Sequence, residues 1–568
     1  MINEQNNKLN DAFMQDLILF LKEKKPNKDD IAKKKVELCQ KHALKKIPTD
    51  IEVYLNIDEE NSELKKILQT KPIRTSSGVA VIALMTKPQS CPHGKCTYCP
   101  GGQKSFFGDV PQSYTGNEPA TMRGIRNNYD AYMQVFNRLE QYIAIGQSPE
   151  KVELIIMGGT FTASRKEYQE EFVKDAFCAM NDFSEMFYEQ EEFQIKKFKE
   201  FFELPGSIKD DERVMRIKTK ITELKTKNKD TMNDAQKRNE TSNIRCIGLT
   251  IETKPDQGFR EHGNEMLKLG CTRVELGVQT LKDNVLKEVM RGHTIEDTKK
   301  SIRELKDLGF KLNFHMMPGL PGISFDDEIK VFEELFENEA YKPDMLKIYP
   351  LMVMPGTKIH EDYKKGKYRA LTTTKAIEIL TKIIPKIPEY CRVMRVQRDI
   401  PPKHSVAGVD RSNLRQMIDS EIEKQKKEVR EIRTREIKGD VIKEPIKLNI
   451  NKYDASKGKE YFINYTDSND KLLGFVRLRI PSQQLREEIT KKSCIIRELH
   501  VYGFASPINT TNSNAQHRGL GRKLMQKAEE IAKENKKDKV IVISGIGVRK
   551  YYEKIGYTQE GPYMIKKI

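Results

Sequence analysis

Apolar runs of strand length alternate with amphipathic segments of helix length between residues 71 and 410 of the chain. The strand-like runs lie at residues 79–85, 152–157, 247–252, 273–278, 311–316 and 346–351. The helix-like segments between them include residues 128–145, 165–182, 264–269 and 295–308. This alternation predicts a parallel sheet, and we expect residues 71–410 to form a partial or full TIM-like (β/α) barrel.

Three other regions depart from that alternation. Residues 1–70 read as helical and basic, and the charged residues at about 183–243 predict a helical, partly mobile insertion on the barrel. Residues 411–440 are rich in glutamate, lysine and arginine and predict a helical linker. From 441 to 568, short strands separated by turn residues predict an antiparallel α+β domain. The predicted fold class is therefore α/β, with a helical N-terminal region and a C-terminal α+β domain.

The chain is strongly basic, with a net charge of +17 and an isoelectric point near 9.1. Lysine and arginine release counterions from phosphates, so this excess favours a polyanionic partner, although thermophilic proteins also enrich lysine. No apolar run reaches the length of a membrane span, and the N-terminus lacks the pattern of a secretory signal. Nine cysteines, an odd and mostly scattered number, do not predict a disulfide framework. We therefore expect a cytoplasmic location.

Three of these cysteines lie close together, at Cys91, Cys96 and Cys99. A structural zinc ion takes four protein ligands, whereas a four-iron four-sulfur cluster held by three thiolates keeps one iron free to bind a small molecule. Two alternatives remain open: a redox Cys-x-x-Cys pair, and a zinc knuckle with a distant fourth ligand such as His93. The other cysteines read as core residues: Cys39, Cys178, Cys246, Cys271, Cys391 and Cys494.

The cysteine loop directly follows the first strand-like run, so it falls at the C-terminal end of a barrel strand, where barrel enzymes carry their chemistry. Gly158-Gly159 and Glu252-Thr253-Lys254 fall at the same end of other strands. His93 and His315 are candidate proton carriers there, although a lone histidine more often has a structural role.

A candidate phosphate-binding pattern lies within the C-terminal domain, at Gln516-x-x-Gly519-x-Gly521. Its glycines allow close backbone approach, and the free amides and dipole of a helix start can bind a pyrophosphate. A strand at 539–544 and the pair Tyr551-Tyr552 follow. This order is similar to that of the Gcn5-related acetyltransferase (GNAT) family, and the resemblance implies a bound acetyl-CoA. Core packing is the alternative role for Tyr551.

The cysteine loop, Cys91-Pro-His-Gly-Lys-Cys96-Thr-Tyr-Cys99, resembles that of radical S-adenosylmethionine (SAM) enzymes, with one residue more in the first gap than their usual spacing. Further motifs follow in order, among them Glu252-Thr-Lys-Pro-Asp256, Glu275-Leu-Gly-Val-Gln-Thr280, His315-Met-Met-Pro-Gly-Leu-Pro321 and Glu498-Leu-His-Val-Tyr-Gly503. With both domain types in one chain, the sequence resembles the family of the Elongator complex catalytic subunit. The match covers nearly the whole chain and is less distinct at about 183–243 and in the N-terminal residues.

The resemblance implies a radical SAM barrel, a C-terminal GNAT domain and an acyltransferase activity on the wobble uridine, uridine 34, of tRNA. Cys91, Cys96 and Cys99 would hold a 4Fe-4S cluster, whose open iron takes S-adenosyl-L-methionine. The 5′-deoxyadenosyl radical formed there would abstract hydrogen from the methyl group of acetyl-CoA. The resulting carbon radical would add to uridine C5, and water would release the carboxymethyl product.

Residue roles follow from the same resemblance. One set would line the acetyl-CoA with strand amides: Glu498, Leu499, His500 and Val501. A second set would bind its pyrophosphate: Gln516, Gly519, Leu520, Gly521 and Arg522. Tyr552 would approach the thioester, with Tyr551 as a second candidate, and Lys151 of the barrel would reach the same donor. Glu252 and Gln279 are candidates for contacts to S-adenosylmethionine, although polar residues at strand ends also serve as members of structural networks.

The expected macromolecular partner is tRNA, bound at its anticodon loop. Arg392, Arg395, Arg398 and the following Lys403-His404, together with Lys33–Lys35, are where we expect its phosphates. A homo-oligomer or accessory subunits are further candidate partners. Two other functions remain open from the sequence: a protein lysine acetyltransferase with a structural barrel, and a non-catalytic tRNA-docking subunit.

Overall fold

The computed structural model describes most of the chain. The described residues are 2–24, 26–44, 47–57, 61, 64, 67–68, 78–206, 210–438, 440–503 and 519–568, with the backbone alone for 2–10 and 23–24.

The N-terminal region is helical, as predicted. Its helices are α1 (Ile2–Lys24), α2 (Lys28–Lys41) and α3 (Asp50–Asn56). The side chain of Asn27 accepts hydrogen bonds from the amides of Asp29 and Asp30 at the start of α2, and that of Thr49 accepts one from the amide of Glu52 in α3. Each helix start is therefore fixed by an N-cap. Phe13, Leu17 and Ile31 are among the buried residues that pack these helices together.

A parallel sheet with surrounding helices follows. Its region contains the strands β1 (Val79–Met85), β2 (Gly102–Ser105), β3 (Gly108–Val110), β4 (Lys151–Met157), β5 (Tyr188–Glu189), β6 (Glu192–Phe193), β7 (Arg245–Thr253), β8 (Arg273–Gln279), β9 (Lys311–Met316), β10 (Met345–Ile348) and β11 (Arg392–Val396). The helices of the same region are α4 (Pro119–Arg126), α5 (Ala131–Ala144), α6 (Lys166–Phe187), α7 (Ile195–Phe202), α8 (Asp211–Lys227), α9 (Met232–Asn239), α10 (Arg260–Lys268), α11 (Asp283–Glu288), α12 (Ile295–Asp307), α13 (Phe325–Glu337), α14 (Lys358–Lys364), α15 (Thr373–Ile383), α16 (Leu414–Lys424) and α17 (Ile432–Arg435).

The main sheet has seven strands in the order β1-β4-β7-β8-β9-β10-β11, and every neighbouring pair is parallel. Strands β1 and β11 are its two edges, so the sheet is a partial barrel rather than a closed one. Six of its strands were predicted from the apolar runs. Strand β11 was missed, because the arginines within it read as an RNA-binding stretch instead.

The charged insertion is helical, as predicted, and its apolar side is packed. Helices α7, α8 and α9 all lie in it, and Phe183, Phe187, Phe198 and Phe202 form a buried cluster with ring centroids 4.7–6.3 Å apart. These rings belong to the same hydrophobic core as the barrel strands. Such packing does not support the partial mobility that we expected for the insertion. The predicted linker likewise packs on the barrel, because Leu414, Ile418 and Ile432 are buried.

The C-terminal domain is built on a second seven-stranded sheet. Its elements are β12 (Lys447–Ala455), β13 (Gly458–Thr466), β14 (Leu472–Ile480), β15 (Ser493–Val501), α18 (Leu520–Glu534), β16 (Lys539–Val542), α19 (Arg549–Glu553), β17 (Thr558–Glu560) and β18 (Tyr563–Lys567). The order is β12-β13-β14-β15-β16-β18-β17. All pairs are antiparallel except β15 and β16, which are parallel and pair only through Ser493–Ile496. The rest of β15 therefore runs free of β16 on that side.

The C-terminal domain packs against the N-terminal ends of the barrel strands, which we call the floor of the barrel. A buried ion-pair network joins the two: Arg497 of β15 donates to both carboxylate oxygens of Asp344, which precedes β10, at 2.7 and 2.6 Å. Arg479 of β14 pairs with Asp307 at the end of α12 at 2.6 Å. These buried ion pairs hold the C-terminal sheet against the floor of the barrel.

None of the helices in the described ranges combines the length and the apolar character needed to cross a membrane.

Candidate active site

A cavity of about 320 Å³ lies at the C-terminal ends of the barrel strands. Cys91, Glu252, Gln279 and His315 all line it, so the structure brings together most of the residues predicted at this end. We call the interior of the barrel the bore. Its opposite end is the floor, where the second sheet lies, about 20 Å away along a seven-residue strand such as β4.

Donors surround the three thiols of the cysteine loop. Cys91 Sγ lies 3.3 Å from Thr160 Oγ1, and the amide of Ser113 donates to Cys99 Sγ at 3.2 Å. Arg291 Nη1 points at Cys96 Sγ from 3.7 Å, and its Nη2 donates to the carbonyl oxygen of Gly277 at 2.9 Å. Such donors stabilise thiolates, which is the state that a metal cluster needs.

The spacing of these thiols fits a cluster better than a single ion. Two sulfurs bound 2.3 Å from one zinc ion would be roughly 4 Å apart. In the described part of the chain, the three sulfurs do not form a group within 4.8 Å of one another. Gly159, with φ +71°, passes so near that an added Cβ would lie 3.9 Å from Cys91 Sγ. The residues present therefore suit an inorganic core with one iron per thiolate, rather than a zinc knuckle.

His93 lies between Lys254 and Cys96 beside this loop. Lys254 Nζ lies 2.9 Å from His93 Nδ1, and His93 Nε2 lies 3.2 Å from Cys96 Sγ. Because an ammonium group only donates, Nδ1 accepts and Nε2 carries the proton that points at the thiolate. Burial, with the charges of Lys254 and Arg291, lowers the pKa of His93 to about 4. The ring is therefore neutral at pH 7 and orients Cys96.

The glycine after Pro100 fixes the turn that follows the cysteines. A Cβ at Gly101 would overlap the carbonyl oxygens of Pro111 and Tyr114. We expect Gly101→Ala to cost about 1–3 kcal/mol of stability and to lower the iron content, because backbone rather than a side-chain tip must move. Thermal unfolding and iron analysis measure both effects. Gly248→Ala is the control, because Gly248 is outside the left-handed region and an added Cβ would make only ordinary contacts, 3.6 Å from Thr272 Oγ1 and 3.8 Å from Glu153 Cγ. Equal losses in both variants would contradict the steric argument.

Deeper in the bore, Glu275 is the centre of a buried polar network. Its carboxylate accepts from Asn313 Nδ2 at 3.1 Å and from His315 Nε2 at 2.8 Å, and it pairs with the ammonium of Lys347. Burial alone would raise the pKa of Glu275, but Lys347 and His315 outweigh it and hold that pKa well below its usual range. Glu275 is therefore charged, and His315 is a fixed member of the network.

The two predicted SAM-contact residues both face the cavity. Glu252 accepts a hydrogen bond from Tyr114 Oη at 2.9 Å and lies 3.6 Å from Lys347 Nζ. Gln279 has φ +72°, an uncommon value for a residue with a side chain, and its buried Oε1 has no partner among the described residues. An unsatisfied amide oxygen at a cavity wall suits a polar ligand. Contact with S-adenosylmethionine stays a prediction for both.

Four polar residues of this site were not predicted: Tyr114, Glu275, Arg291 and Lys347. Glu275 could have been found from the sequence, because it is a charged residue within a predicted strand. Every residue of that strand is buried, and a buried charge needs a partner. Arg291 and Tyr114 lie in loops, where the sequence offers no comparable signal.

The predicted acetyl-CoA residues lie at the free end of β15 and the start of α18. Arg477 donates to Glu498 at 2.8 Å, so this carboxylate is already paired. His500 lies against the ring of Tyr502, with centroids 4.3 Å apart, and burial, partly offset by Glu498, lowers its pKa. Leu499 and Val501 lie beside them on β15.

Gly519 is in the left-handed conformation directly before α18, whose first residues are Leu520, Gly521 and Arg522. Gln516 lies outside the described residues. The N-cap Gly519 has no side chain that could bind the first backbone amides of α18. Free amides at the start of a helix can bind an anion such as a pyrophosphate.

The two adjacent tyrosines have different surroundings: Tyr551 lies near the start of α18, and Tyr552 lies in the core of the sheet. A Cβ at Gly521 would lie 3.1 Å from Tyr551 Oη, so Tyr551 borders the start of α18. Tyr552 is 7% exposed and packs with Tyr557 in the core of the sheet, and burial raises its pKa. The core-packing alternative thus describes Tyr552 more closely than Tyr551. A catalytic role stays a prediction for both.

Lys151 begins β4 at the floor of the barrel, beside Arg245 on β7. Burial, followed by the charge of Arg245, lowers the pKa of Lys151. Arg245 in turn borders the C-terminal domain, because a Cβ at Gly547 would lie 2.5 Å from its own. The floor position places Lys151 on the side of the barrel that faces the second sheet.

Two of the expected phosphate contacts need correction. Lys35 is 8% exposed and pairs with Asp50 at 2.8 Å, so it joins α2 to α3 rather than facing solvent. Arg392 pairs with Glu436 and donates to Tyr502 Oη at 3.0 Å. Both side chains are committed to the fold, because a buried cation needs a partner.

Comparison with known proteins covers the chain in four consecutive segments. The matching family models are the ELP3 N-terminal domain at residues 14–76, the Radical SAM superfamily at 86–335, the Radical_SAM C-terminal domain at 343–424 and the Acetyltransferase (GNAT) family at 426–557. A radical SAM domain implies a 4Fe-4S cluster and S-adenosylmethionine, and a GNAT domain implies acetyl-CoA.

Relatives match over nearly their full length. The tRNA uridine(34) acetyltransferase of Methanocaldococcus jannaschii is 44% identical over 90% of this chain and 88% of its own. The Elongator complex protein 3 of Danio rerio is 39% identical over 88% of this chain and 86% of its own. The solved structure of the archaeal Methanocaldococcus infernus Elp3, with its N-terminus (1–46) deleted, is 37% identical, covers 87% of this chain and all of that one, and superposes with a TM-score of 0.70. The chain therefore belongs to the Elongator complex protein 3 family, which joins a radical SAM domain to a GNAT domain.

Proposed function

We propose that this protein is a tRNA uridine(34) acetyltransferase, a carboxymethyluridine synthase that uses acetyl-CoA and S-adenosylmethionine to place a carboxymethyl group on C5 of the wobble uridine. The observation that carries the proposal is the match over about nine tenths of the chain to archaeal relatives of that name. The geometry supports it, because the cysteine loop opens into a polar cavity and a GNAT-type sheet closes the floor of the same barrel.

The cofactors have candidate residues in this chain. Cys91, Cys96 and Cys99 would hold the cluster, Glu252 and Gln279 would contact S-adenosylmethionine, and the β15 and α18 residues named above would bind acetyl-CoA. When bound, these groups supply a 5′-deoxyadenosyl radical and the two-carbon unit.

The chain's own residues prepare the site. The neutral ring of His93 orients Cys96, and the positive charge of Arg291 faces the same sulfur. Lys347 pairs with Glu275, lowers the pKa of that carboxyl and lies 3.6 Å from Glu252, which fixes the polarity of the bore. His500, whose pKa is lowered, is neutral at pH 7 and can accept a proton from the water that releases the product.

The same proposal covers the remaining assignments. We place the substrate tRNA at the barrel cavity, with uridine 34 extruded from the anticodon loop, where unpaired bases leave the stack at little cost. The proposed domains are 1–70, 71–410, 411–440 and 441–568, and the proposed location is the cytoplasm. The need for accessory subunits is tested by running the reaction with this chain alone, and a homo-oligomer is tested by light scattering of the purified chain.

The test is mass spectrometry of tRNA nucleosides after anaerobic incubation of the reconstituted chain with reductant, S-adenosylmethionine, methyl-labelled acetyl-CoA and tRNA. We expect labelled 5-carboxymethyluridine that disappears when either cofactor is omitted. Acetyl-lysine without a labelled nucleoside would replace the proposal with protein acetylation. Tight tRNA binding without consumption of acetyl-CoA would replace it with a docking role.

Tyr552→Phe tests the thioester contact of the GNAT domain. If the hydroxyl reaches acetyl-CoA, we expect a lower rate of acetyl-CoA consumption, by about ten-fold, with unchanged iron content. Phenylalanine keeps the apolar packing against Tyr557, so the fold is retained. Tyr551→Phe is the matched comparison at the exposed neighbour. Full activity of Tyr552→Phe with reduced activity of Tyr551→Phe would move the role to Tyr551.

A further inference from the structure

The partial barrel leaves one side of its cavity open along the edge of β1. Val81, in the middle of that strand, is 39% exposed although it lines the cavity. Ala83 on the same strand, Arg123 of α4 and Arg138 of α5 complete this wall. We call the space lined by Val81, Ala83, Arg123 and Arg138 the lateral slot.

The free edge of β1 is satisfied by side chains rather than by another strand. Arg123 Nη2 donates to the carbonyl oxygen of Ala83 at 2.6 Å, and Tyr142 Oη donates to that of Val81 at 2.7 Å. These two contacts occupy the carbonyl oxygens of Val81 and Ala83, Gln134 Nε2 donates to that of Met85 at 3.0 Å, and Arg123 is held in place. The slot is therefore not a strand-pairing surface.

The positive charge in the slot lacks a carboxylate. Within the described residues, neither Arg123 nor Arg138 has an ion pair within 4.0 Å, and the buried Nε of Arg123 has no hydrogen-bond partner. Arg123 is only 6% exposed. Burial, together with the charges of Arg138 and then Arg126, lowers the pKa of Arg123 to about 10. Two guanidinium groups that repel each other in a cleft are stabilised by an anion.

The arginines on the opposite side of the opening differ from each other. Arg395 of β11 pairs with Asp399, whereas Arg398 donates to the carbonyl oxygen of Ser113 and has no carboxylate partner among the described residues. Arg138 donates to Gln141, which is uncharged, at 3.0 Å. The β1 side therefore differs in bringing two arginines without a carboxylate partner, Arg123 and Arg138, into one wall of the cavity.

The slot also connects to the basic N-terminal region. Helix α5 carries Arg138, and Gly146, directly after α5, lies against Tyr54 of α3, where an added Cβ would be 2.8 Å from the ring. Helix α5 thus joins the slot to the packed N-terminal helices. Phosphodiesters carry one negative charge per nucleotide, which matches a pair of adjacent guanidinium groups.

We propose that the lateral slot is a phosphate clamp, in which Arg123 and Arg138 hold phosphodiesters of the single-stranded RNA next to the nucleotide that enters the cavity. This proposal rests on the proposed function for the identity of the RNA. The clamp positions the strand without reading its sequence, because the slot presents donors to phosphate oxygens and no base-specific surface is required.

The test is binding of a labelled tRNA anticodon stem–loop to the full reconstituted chain, measured by fluorescence anisotropy from about 50 to about 300 mM salt. Arg138→Gln should weaken binding about three- to ten-fold at low salt and reduce the slope of log Kd against log salt by about 0.7–0.9, the value for one lost phosphate contact. Arg138→Lys, which keeps the charge, should retain most of the slope. Arg123 is left unchanged because it also caps β1.

Arg430→Gln is the matched control, because it removes the same charge from the linker, where Arg430 pairs with Glu389 and Glu428. An equal loss of slope in this control would overturn the clamp in favour of a net-charge effect. Cleavage of S-adenosylmethionine without RNA and binding of coenzyme A should be unchanged in Arg138→Gln. A loss of either, with unchanged RNA binding, would overturn the proposal and assign the slot to that cofactor.

The clamp and the proposed function can fail separately. RNA binding that depends on Arg138, with no carboxymethyluridine formed, supports the clamp and contradicts the reaction. Carboxymethyluridine formed by a protein whose RNA binding is unaffected by Arg138→Gln contradicts the clamp and leaves the reaction in place.

Discussion

Cys96→Ala is expected to remove the cluster iron and to reduce formation of carboxymethyluridine at least about 100-fold. Loss of a residue that only orients a metal ligand already lowers affinity or activity 10–100-fold, so loss of a ligand itself should cost at least as much. Two of the groups around Cys96, His93 and Arg291, would also lose the thiolate that they contact. Iron and acid-labile sulfide analysis of the anaerobically reconstituted protein measures the first effect, and nucleoside mass spectrometry measures the second.

Cys178→Ala is the matched control for that substitution. Cys178 is a buried thiol on α6, 3% exposed and packed in the barrel core, so its loss should leave the iron content unchanged. Full iron occupancy in Cys96→Ala would contradict the assignment of the cluster. Bound zinc in the wild-type protein, absent from Cys96→Ala, would instead restore the zinc-knuckle interpretation.

The fold was predictable wherever burial follows a simple period. Strands β1, β4, β7, β8 and β9 read as apolar runs because parallel strands are covered on their outer face by helices and packed in the sheet. Strand β11 was missed because Arg392 and Arg395 interrupt its apolar residues. Arg395 pairs with the nearby Asp399, but Arg392 pairs with Glu436, which is distant in sequence. The sequence gives the charge but does not reveal its partner.

The candidate site was predictable only in part for the same reason. The cysteine loop is local, so its spacing alone predicted a cluster. Glu275, Lys347 and Tyr114 come from three separate segments and gain their meaning when the sheet brings them into one bore. The slot is harder still to predict, because an arginine without a carboxylate partner can be recognised only after the neighbouring residues have been placed.

The bore itself differs from an ordinary barrel core. Closed barrels are filled by layers of branched apolar side chains. Here the inward positions of β8 include Arg273 and Glu275, and Arg273 pairs with Glu153 of β4 at 2.6 Å. A charged column thus runs from the floor, where Glu498 lies, towards the cysteine loop.

Asp344→Asn is expected to destabilise the protein by about 3–5 kcal/mol, because it leaves the buried guanidinium of Arg497 without the carboxylate that accepts two of its hydrogen bonds. Burial alone would raise the pKa of Asp344, but Arg497, Arg477 and Lys306 outweigh it and hold that pKa below its ordinary value. The stabilisation is therefore fully present above about pH 4, the unfolded value, and is lost as the pH falls towards the folded value. Denaturant unfolding followed by circular dichroism at several pH values measures it, and the difference between wild type and variant should shrink in acid.

Asp470→Asn is the control for this prediction. Asp470 also faces two arginines, Arg435 at 2.9 Å and Arg430 at 3.3 Å, but its side chain is 41% exposed. An exposed pair contributes about 0–1 kcal/mol, so this variant should unfold nearly as the wild type does. A loss in Asp344→Asn no larger than in Asp470→Asn would mean that the network on the floor does not hold the two domains together. Because Asp344 belongs to the barrel and Arg497 to β15, a large loss would show that the GNAT sheet and the barrel depend on each other for stability.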